Sequence, residues 1–329
     1  MSAKASPSAF ERIMETANGR KGIRIEVRRN RDAGDSNNTR KRPRAGSVGA
    51  EIITTNNLKK EGLPIAVLEN FLPLPTADAL LTLMLDECEG RGVQGGAWTP
   101  DTYWIADMER TSRRLTCTYG LEGDASAKSS LRRAPSLLLD VAAAVNEAVR
   151  QVIHGGGAWQ ASYALVNCYR DFGDVVGPHS DHLTKIGKLP TIASLSLGAL
   201  RRLRLSKKRL GPTTARDAAA SGTVVGCDIF QPHNTLVLML PPCQERWTHE
   251  VPREGPGSFV SMTNSRNGIS GEARINITFR MDVMGLQVPE CSCGERAVMK
   301  SRLESDGTCR YYYACNSRSR EPCRFYAKA

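Results

Sequence analysis

No stretch of the sequence approaches the roughly 18 uncharged apolar residues needed to cross a bilayer. Nor do the first 25 residues hold an apolar run like the core of a secretion signal. Both absences lead to the expectation of a soluble, intracellular chain with no membrane partner. A reducing compartment disfavours disulfides, so the 10 cysteines need another explanation. Five of them (Cys291, Cys293, Cys309, Cys315, Cys323) fall within the last 39 positions, and crowding of that kind points to metal. Acidic residues are scarce only at the ends. Residues 1–60 carry 14 basic against 6 acidic, residues 61–286 carry 23 of each, and residues 287–329 carry 8 against 5. The net charge of +11 therefore belongs to a tail and a C-terminal segment, where a polyanion such as nucleic acid would be met.

What is present divides the chain into three parts. Residues 1–62 read as a disordered basic tail, because residues 16–62 are rich in Arg, Asn, Gly and Lys with little hydrophobic periodicity. Within it Thr39–Arg44 is a basic run of nuclear-import type, which gives the expectation of a nuclear location. Phe10, Ile13 and Met14 stand at i, i+3, i+4, the spacing of a short segment that folds into a protein partner's groove. Residues 63–286 read as one ordered domain. Thr76–Glu89 and Ser136–Ile153 have helical spacing of apolar residues, whereas 161–169, 191–197, 202–206, 235–240, 257–262 and 273–281 read as strands. Helices first and strands afterwards predict a mainly β, α+β architecture, a jelly roll backed by helices. Residues 211–227 keep neither period and read as a mobile insertion.

The chemistry begins at Pro178-His179-Ser180-Asp181. On an extended segment, residues two apart point the same way, so His179 and Asp181 can reach one cation. His249, in Thr248-His249-Glu250-Val251-Pro252, supplies a third ligand. Two imidazoles and one carboxylate on a face, with the other positions open, suit non-haem iron(II) and oxygen. Arg274 to Arg280 alternates strictly: Arg274, Asn276, Thr278 and Arg280 share one face, Ile275, Ile277 and Phe279 the other. If the polar face is the inner one, two guanidinium groups enter a low-dielectric interior and require an anion there. A dicarboxylate cosubstrate would supply it, and the planar fork of arginine is suited to grip a carboxylate through two bonds.

Asn167-Cys168-Tyr169, the His179/Asp181 pair, His249 before Val-Pro, and Arg274-Ile-Asn276-Ile-Thr278-Phe-Arg280 together resemble the AlkB family of dealkylating dioxygenases. Ser194–Ala199 and Thr118-Tyr119-Gly120 match further stretches, so the resemblance covers about residues 63–285 in order. It implies a double-stranded β-helix core in which His179, Asp181 and His249 ligate Fe(II). Asn167, Tyr169, Arg274, Asn276 and Arg280 would hold 2-oxoglutarate, Arg274 at the distal carboxylate and Arg280 near the chelating end, with O2 as the second cosubstrate. Tyr119 would belong to a lid over the substrate base. Arg113, Arg114 and the cluster Arg201–Arg209 would meet phosphates, with Arg110 beside them. One departure is that the family often has an acidic residue two places after the iron Asp, and here Leu183 stands there, after His182. The implied activity is oxidative dealkylation of N-alkylated bases in DNA by a monomer. RNA demethylation by the same residues is the alternative, and a non-catalytic recruiting protein is a third reading.

In residues 287–329, Cys291, Cys293, Cys315 and Cys323 can close a structural zinc site, without which about 40 residues could hardly fold. Cys309 is the fallback ligand. The segment resembles the GRF-type zinc finger over 289–326, although Ala327 and Lys328 stand near the place of that module's closing tryptophan. The resemblance implies single-strand binding, for which Tyr311–Tyr313, Phe325, Arg310 and Arg324 offer stacking faces and charge. The finger is expected to be separable, so that losing its zinc spares the oxygenase chemistry.

Overall fold

The structure, a computed structural model, describes residues 23–29, 51–53, 55, 58–91, 98–105, 108–121, 131–153, 159–208, 224–255, 258–262, 265–283, 287–304, 306–315 and 323–329. Phe10, Ile13, Met14, the Thr39–Arg44 run, Arg209 and positions 211–223 of the expected insertion lie outside the described residues.

Three short N-terminal strands come first: β1 (Ile25–Arg29), β2 (Glu51–Ile53) and β3 (Ile65–Leu68). Helix α1 (Leu74–Cys88) follows, opening with proline in its first turn, where a missing N–H costs nothing. Strands β4 (Thr99–Ile105), β5 (Met108–Gly120) and β6 (Arg132–Arg133) lead to helix α2 (Ser136–Val152). Next come β7 (Tyr163–Tyr169), β8 (Val176–His179), a turn of helix α3 (Leu183–Ile186), β9 (Ile192–Gly198), β10 (Arg201–Lys207) and β11 (Val224–Gln231). The domain closes with β12 (Thr235–Met239), α4 (Cys243–Arg246), β13 (Trp247–Val251), α5 (Phe259–Met262) and β14 (Arg274–Arg280). Strands β15 (Val298–Leu303), β16 (Cys309–Ala314) and β17 (Tyr326–Lys328) build a separate three-stranded sheet.

The expected jelly roll is present as two sheets. One runs β3-β12-β9-β14-β7-β5-β4 with β6 beside β5, and the other runs β2-β1-β11-β10-β13-β8. Apart from β5/β6, the pairings are antiparallel. The larger sheet is backed by α1 and α2, whose Leu80, Leu81, Met84, Leu138, Val141 and Val145 are at most 1% exposed. Each such side chain removed from water stabilises the fold by roughly 1.5–3 kcal/mol. The outer face of β14 joins that layer through Ile275, Ile277 and Phe279. Its polar face is therefore turned into the barrel, and Arg274 is 1% exposed.

Three expectations need correction. The tail is not structureless throughout: Ile25–Arg29 and Glu51–Ile53 are strands of the second sheet. Ile23, Ile25 and Val27 are buried while Arg24, Glu26 and Arg28 alternate with them, and Arg28 lies across Gly226, donating to the Leu205 carbonyl at 2.9 Å. Glycine is favoured there, since a Cβ at 226 would come within 2.7 Å of the Leu205 carbonyl oxygen as well as meeting the guanidinium. Residues 224–227 of the expected insertion belong to β11, held between β1 and β10. The expected strand at 257–262 is instead a helical turn at Phe259–Met262. Val260 is fully buried while the adjacent Phe259 packs edge-on against Phe230 at 4.8 Å, so neighbours share one side where a strand would part them.

Candidate active site

Strands β8 and β13 pair with His179 opposite His249, and the turn after β8 brings Asp181 to the same point. One ligand atom from each of the three lies within 4.8 Å of the others. Asp181 Oδ1 stands 3.8 Å from His179 Nε2 and 3.7 Å from His249 Nε2. His179 Nδ1 is 2.8 Å from the Gly177 carbonyl. A carbonyl can only accept, so the proton sits on Nδ1 and Nε2 keeps its lone pair for a metal.

The electrostatics favour a cation. Burial opposes ionisation of Asp181, yet Arg280, His249 and His179 hold its carboxyl down to about 2. Arg280 contributes most directly, with Nε 2.6 Å from Asp181 Oδ2. Burial, then His179, brings His249 down to about 3, so its imidazole is neutral at physiological pH as ligation requires. Two imidazoles, that of His249 held neutral by burial, and one anionic carboxylate at one point match the donor set of iron(II).

That titration has a measurable consequence in the chelator-treated chain. Between the folded value of about 3 and the ordinary value near 6.5, the unfolded chain binds a proton that folded His249 refuses. Stability therefore falls as the pH falls below about 6.5. Denaturant unfolding from pH 7 to pH 5 should show this decline, and His249→Gln should flatten it.

The cavity beside the triad, about 70 Å³, is lined by all five residues expected to hold the cosubstrate. Strand β14 lies between β7 and β9, with Asn276 opposite Asn167 on one side and Ser196 on the other. Arg274 is fixed by neutral partners only: Nε donates to Ser196 Oγ, and Nη2 to Gln231 Oε1 and Asn276 Oδ1, each at 2.8 Å. The Tyr169 ring lies 5.2 Å from the Arg274 guanidinium carbon, and among the described residues Arg274 Nη1 is buried without a hydrogen-bond partner. Burial lowers the guanidinium to about 10, still cationic at pH 7. An unbalanced buried cation with a spare donor is the signature of an anion site. Asn276 also accepts from Ser194 Oγ and donates to Thr278.

The expected substrate residues fare differently. Arg114 lines the cavity and donates to Asn167 Oδ1 at 2.9 Å and to Asp101 Oδ2 at 2.5 Å. Arg113, one residue along β5, points away, mostly exposed and paired with Asp171 and Asp174. Tyr119 is not part of a lid. Its parity on β5 places it on the helix side, fully buried, with its hydroxyl donating to Glu87. The arginines of β10 are not free for phosphates either. Arg201 is fully buried and donates to the carbonyls of Asp171, Asp174 and Pro252, while Arg202 and Arg204 are paired with Asp228, Glu254 and Glu250. Leu183 is buried in a core shared with the C-terminal sheet, so no acidic side chain could open onto the cavity from there. Ser196, Gln231 and Asp101 received no role from the sequence. Each is recognisable only by the guanidinium it meets across strands.

In the C-terminal sheet, Cys291, Cys293, Cys315 and Cys323 converge and Cys309 lies apart from them. Cys291 Sγ is 3.0 Å from Cys323 and 3.3 Å from Cys293, which is 3.5 Å from Cys315. A tetrahedron with bonds of about 2.3 Å has sulfur–sulfur edges of about 3.8 Å, so a small expansion would admit zinc. Of the three tyrosines, only Tyr312 points outward. Tyr313 is buried, and Tyr311 and Phe325 pack against the shared core.

Comparison with known proteins matches residues 65–280 to the family described as 2OG-Fe(II) oxygenase superfamily. The bovine (Bos taurus) alpha-ketoglutarate-dependent dioxygenase alkB homolog 3 is 37% identical over 116 residues, 35% of this chain and 35% of that protein. The human (Homo sapiens) DNA oxidative demethylase ALKBH2 is 24% identical over 231 residues, 67% of this chain and 80% of that protein. Among solved structures, that of OsALKBH1 superposes with a TM-score of 0.40 at 16% identity, covering 67% of this chain and 98% of the other.

Proposed function

The chain belongs to the 2OG-Fe(II) oxygenase superfamily, and from that premise we propose that it is an AlkB-type dioxygenase that removes N-alkyl groups from bases in DNA. The single observation that carries this reading is the convergence of His179, Asp181 and His249 beside a buried arginine, Arg274, whose partners are all neutral. When bound, iron and 2-oxoglutarate supply the oxidation of an N-alkyl carbon by O2, releasing succinate, carbon dioxide and the alkyl group as an aldehyde.

The chain's own residues do the rest. His179, Asp181 and His249 hold the ion, and Arg280 keeps Asp181 anionic and aimed. Arg274, braced by Ser196, Gln231 and Asn276, takes the distal carboxylate of the cosubstrate, while Asn167, Asn276 and Tyr169 line its flanks. Arg114, held by Asp101 and Asn167, stands where β5 borders the cavity and is the substrate-side cation. DNA as the substrate is supported by the similarity to human DNA oxidative demethylase ALKBH2.

The C-terminal sheet, closed by zinc on its four cysteines, supplies the strand-binding surface. Lys300, Tyr312 and Lys328 form one cross-strand row, and Arg302 stands opposite Arg310 on the same face. Tyr312 and the exposed Tyr326 stack at 5.2 Å. Aromatic faces among cations bind single strands without reading sequence. A base must leave the stack to be oxidised, and that costs least in a single strand. A nuclear location fits such a substrate.

The test is aerobic turnover with N-methylated single-stranded oligonucleotides, scoring formaldehyde and succinate with DNA and RNA arms in competition. Preferential formaldehyde release from DNA is expected. Preference for RNA would move the substrate to that class, and strand binding without formaldehyde would leave only the recruiting role.

A further inference from the structure

The C-terminal sheet is not a detachable appendage in this structure. Its outer face carries the cations, and its inner face, with Met299 and Tyr313 nearly excluded from solvent, shares one core with Leu183, Ile186 and Cys243. Three polar contacts accompany that packing. The Met299 amide donates to Thr184 Oγ1 at 3.0 Å, Arg246 Nη2 to the Gly307 carbonyl at 2.5 Å, and the Tyr311 hydroxyl to Glu245 Oε1 at 3.1 Å. Lys188 Nζ lies 5.3 Å from the centre of the Tyr311 ring.

The docked segments are α3 and α4, and both lead directly to the metal ligands. Leu183 is two residues beyond Asp181, and Arg246 is three before His249. The two segments are also tied to each other. The Asp181 amide donates to Gln244 Oε1 at 2.8 Å, the Leu189 amide to Glu245 Oε1 at 2.9 Å, and Ser180 Oγ to the Trp247 carbonyl at 2.9 Å. Gln244 and Glu245 are each 1% exposed. The Glu245 carboxylate thus sits in the interior with two donors on Oε1, one of them from Tyr311, while Oε2 has no hydrogen-bond partner among the described residues. Losing the hydroxyl would leave a buried carboxylate underbonded, which favours movement of α4 toward water. Gln244, the neighbour that holds the Asp181 amide, would move with it.

We infer that the cysteine-rich sheet is a positioning element for the metal centre, acting through Tyr311 on Glu245 and through Met299 on α3 to fix the segment that carries Asp181. The expectation of two separable modules is thereby reversed: losing the zinc loosens the iron site. The inference rests on the reading of His179, Asp181 and His249 as metal ligands.

The experiment uses the full chain and Mn(II) as a probe, followed by electron paramagnetic resonance. Mn(II) suits the nitrogen and oxygen ligands and avoids the thiolate site. Cys315→Ser, which removes a zinc ligand, is expected to weaken Mn(II) binding by about tenfold, the scale of supporting-residue effects on metal affinity. Tyr311→Phe, which removes one hydroxyl and leaves the cysteines intact, is expected to retain zinc and still weaken Mn(II) by roughly threefold or more. It should also raise the KM for 2-oxoglutarate more than it lowers kcat. Wild-type Mn(II) affinity in zinc-free Cys315→Ser would overturn the inference. If that variant does not fold, unchanged Mn(II) affinity in Tyr311→Phe overturns it instead. A wild-type chain that binds no Mn(II) would sink the metal-centre reading itself.

Discussion

Arg274→Lys is expected to raise the 2-oxoglutarate concentration for half-maximal turnover by about a hundredfold, while Mn(II) affinity changes by less than about threefold. The native guanidinium spends Nε on Ser196 and Nη2 on Gln231 and Asn276, leaving Nη1 buried and unpartnered. A lysine carries three donors on one atom, so it cannot brace against those neighbours and also offer a planar fork to a carboxylate. Disrupting one side of a buried, hydrogen-bonded charge pair costs about 2–5 kcal/mol, and each 1.4 kcal/mol is tenfold. The metal should be spared because Arg274 makes none of its bonds to the triad. Isothermal titration of 2-oxoglutarate into the Mn(II) form and steady-state KM both measure the effect. A KM within about threefold of wild type would mean that another cation holds the diacid.

Why this arginine was legible in the sequence, when its braces were not, is a matter of range. Alternation from Arg274 to Arg280 is a local pattern, and it needs only the knowledge of which face is inside, which Ile275, Ile277 and Phe279 supply by joining the helix layer. His179 and Asp181 are legible for the same reason, being two residues apart. Ser196 and Gln231 sit on other strands and carry no local mark. Their role appears only when β14 pairs with β9 and the guanidinium reaches across.

The misreadings follow the same logic. The motif points Tyr119 to a lid, but its odd position on β5 turns it to the helices, where its hydroxyl donates a hydrogen bond to Glu87. Ile23, Ile25 and Val27 alternate cleanly, yet a five-residue strand inside a charged tail gives no sign that β11 waits to pair with it. A separable C-terminal sheet follows from its resemblance to an appended module, a likeness that cannot register that Met299 and Tyr313 are buried against α3 and α4 rather than within the sheet's own small core. In each case a long-range contact decided what a local period left open.

Asp181→Asn should have the largest effect of all, lowering formaldehyde release by at least about 10³-fold and Mn(II) affinity by a similar factor. The carboxylate is the only anion among the three ligands, with Oδ1 facing both imidazoles and Oδ2 engaged by Arg280. The amide is nearly the same size, so packing is preserved and the change is electrostatic. It raises the local charge by one, leaves the Arg280 guanidinium without its partner, and can present an N–H where a lone pair is needed. An arriving dication then meets an uncompensated arginine at close range in a site that water does not screen. Removing one member of a buried charge pair costs up to about 5 kcal/mol, of which about 4 kcal/mol is already 10³-fold. Arg280→Ala in the Asp181→Asn background should recover part of the Mn(II) affinity, because it deletes the stranded cation. If Asp181→Asn instead turns over within tenfold of wild type, the ion is held elsewhere, and the two imidazoles at 179 and 249 are neighbours for a structural reason alone.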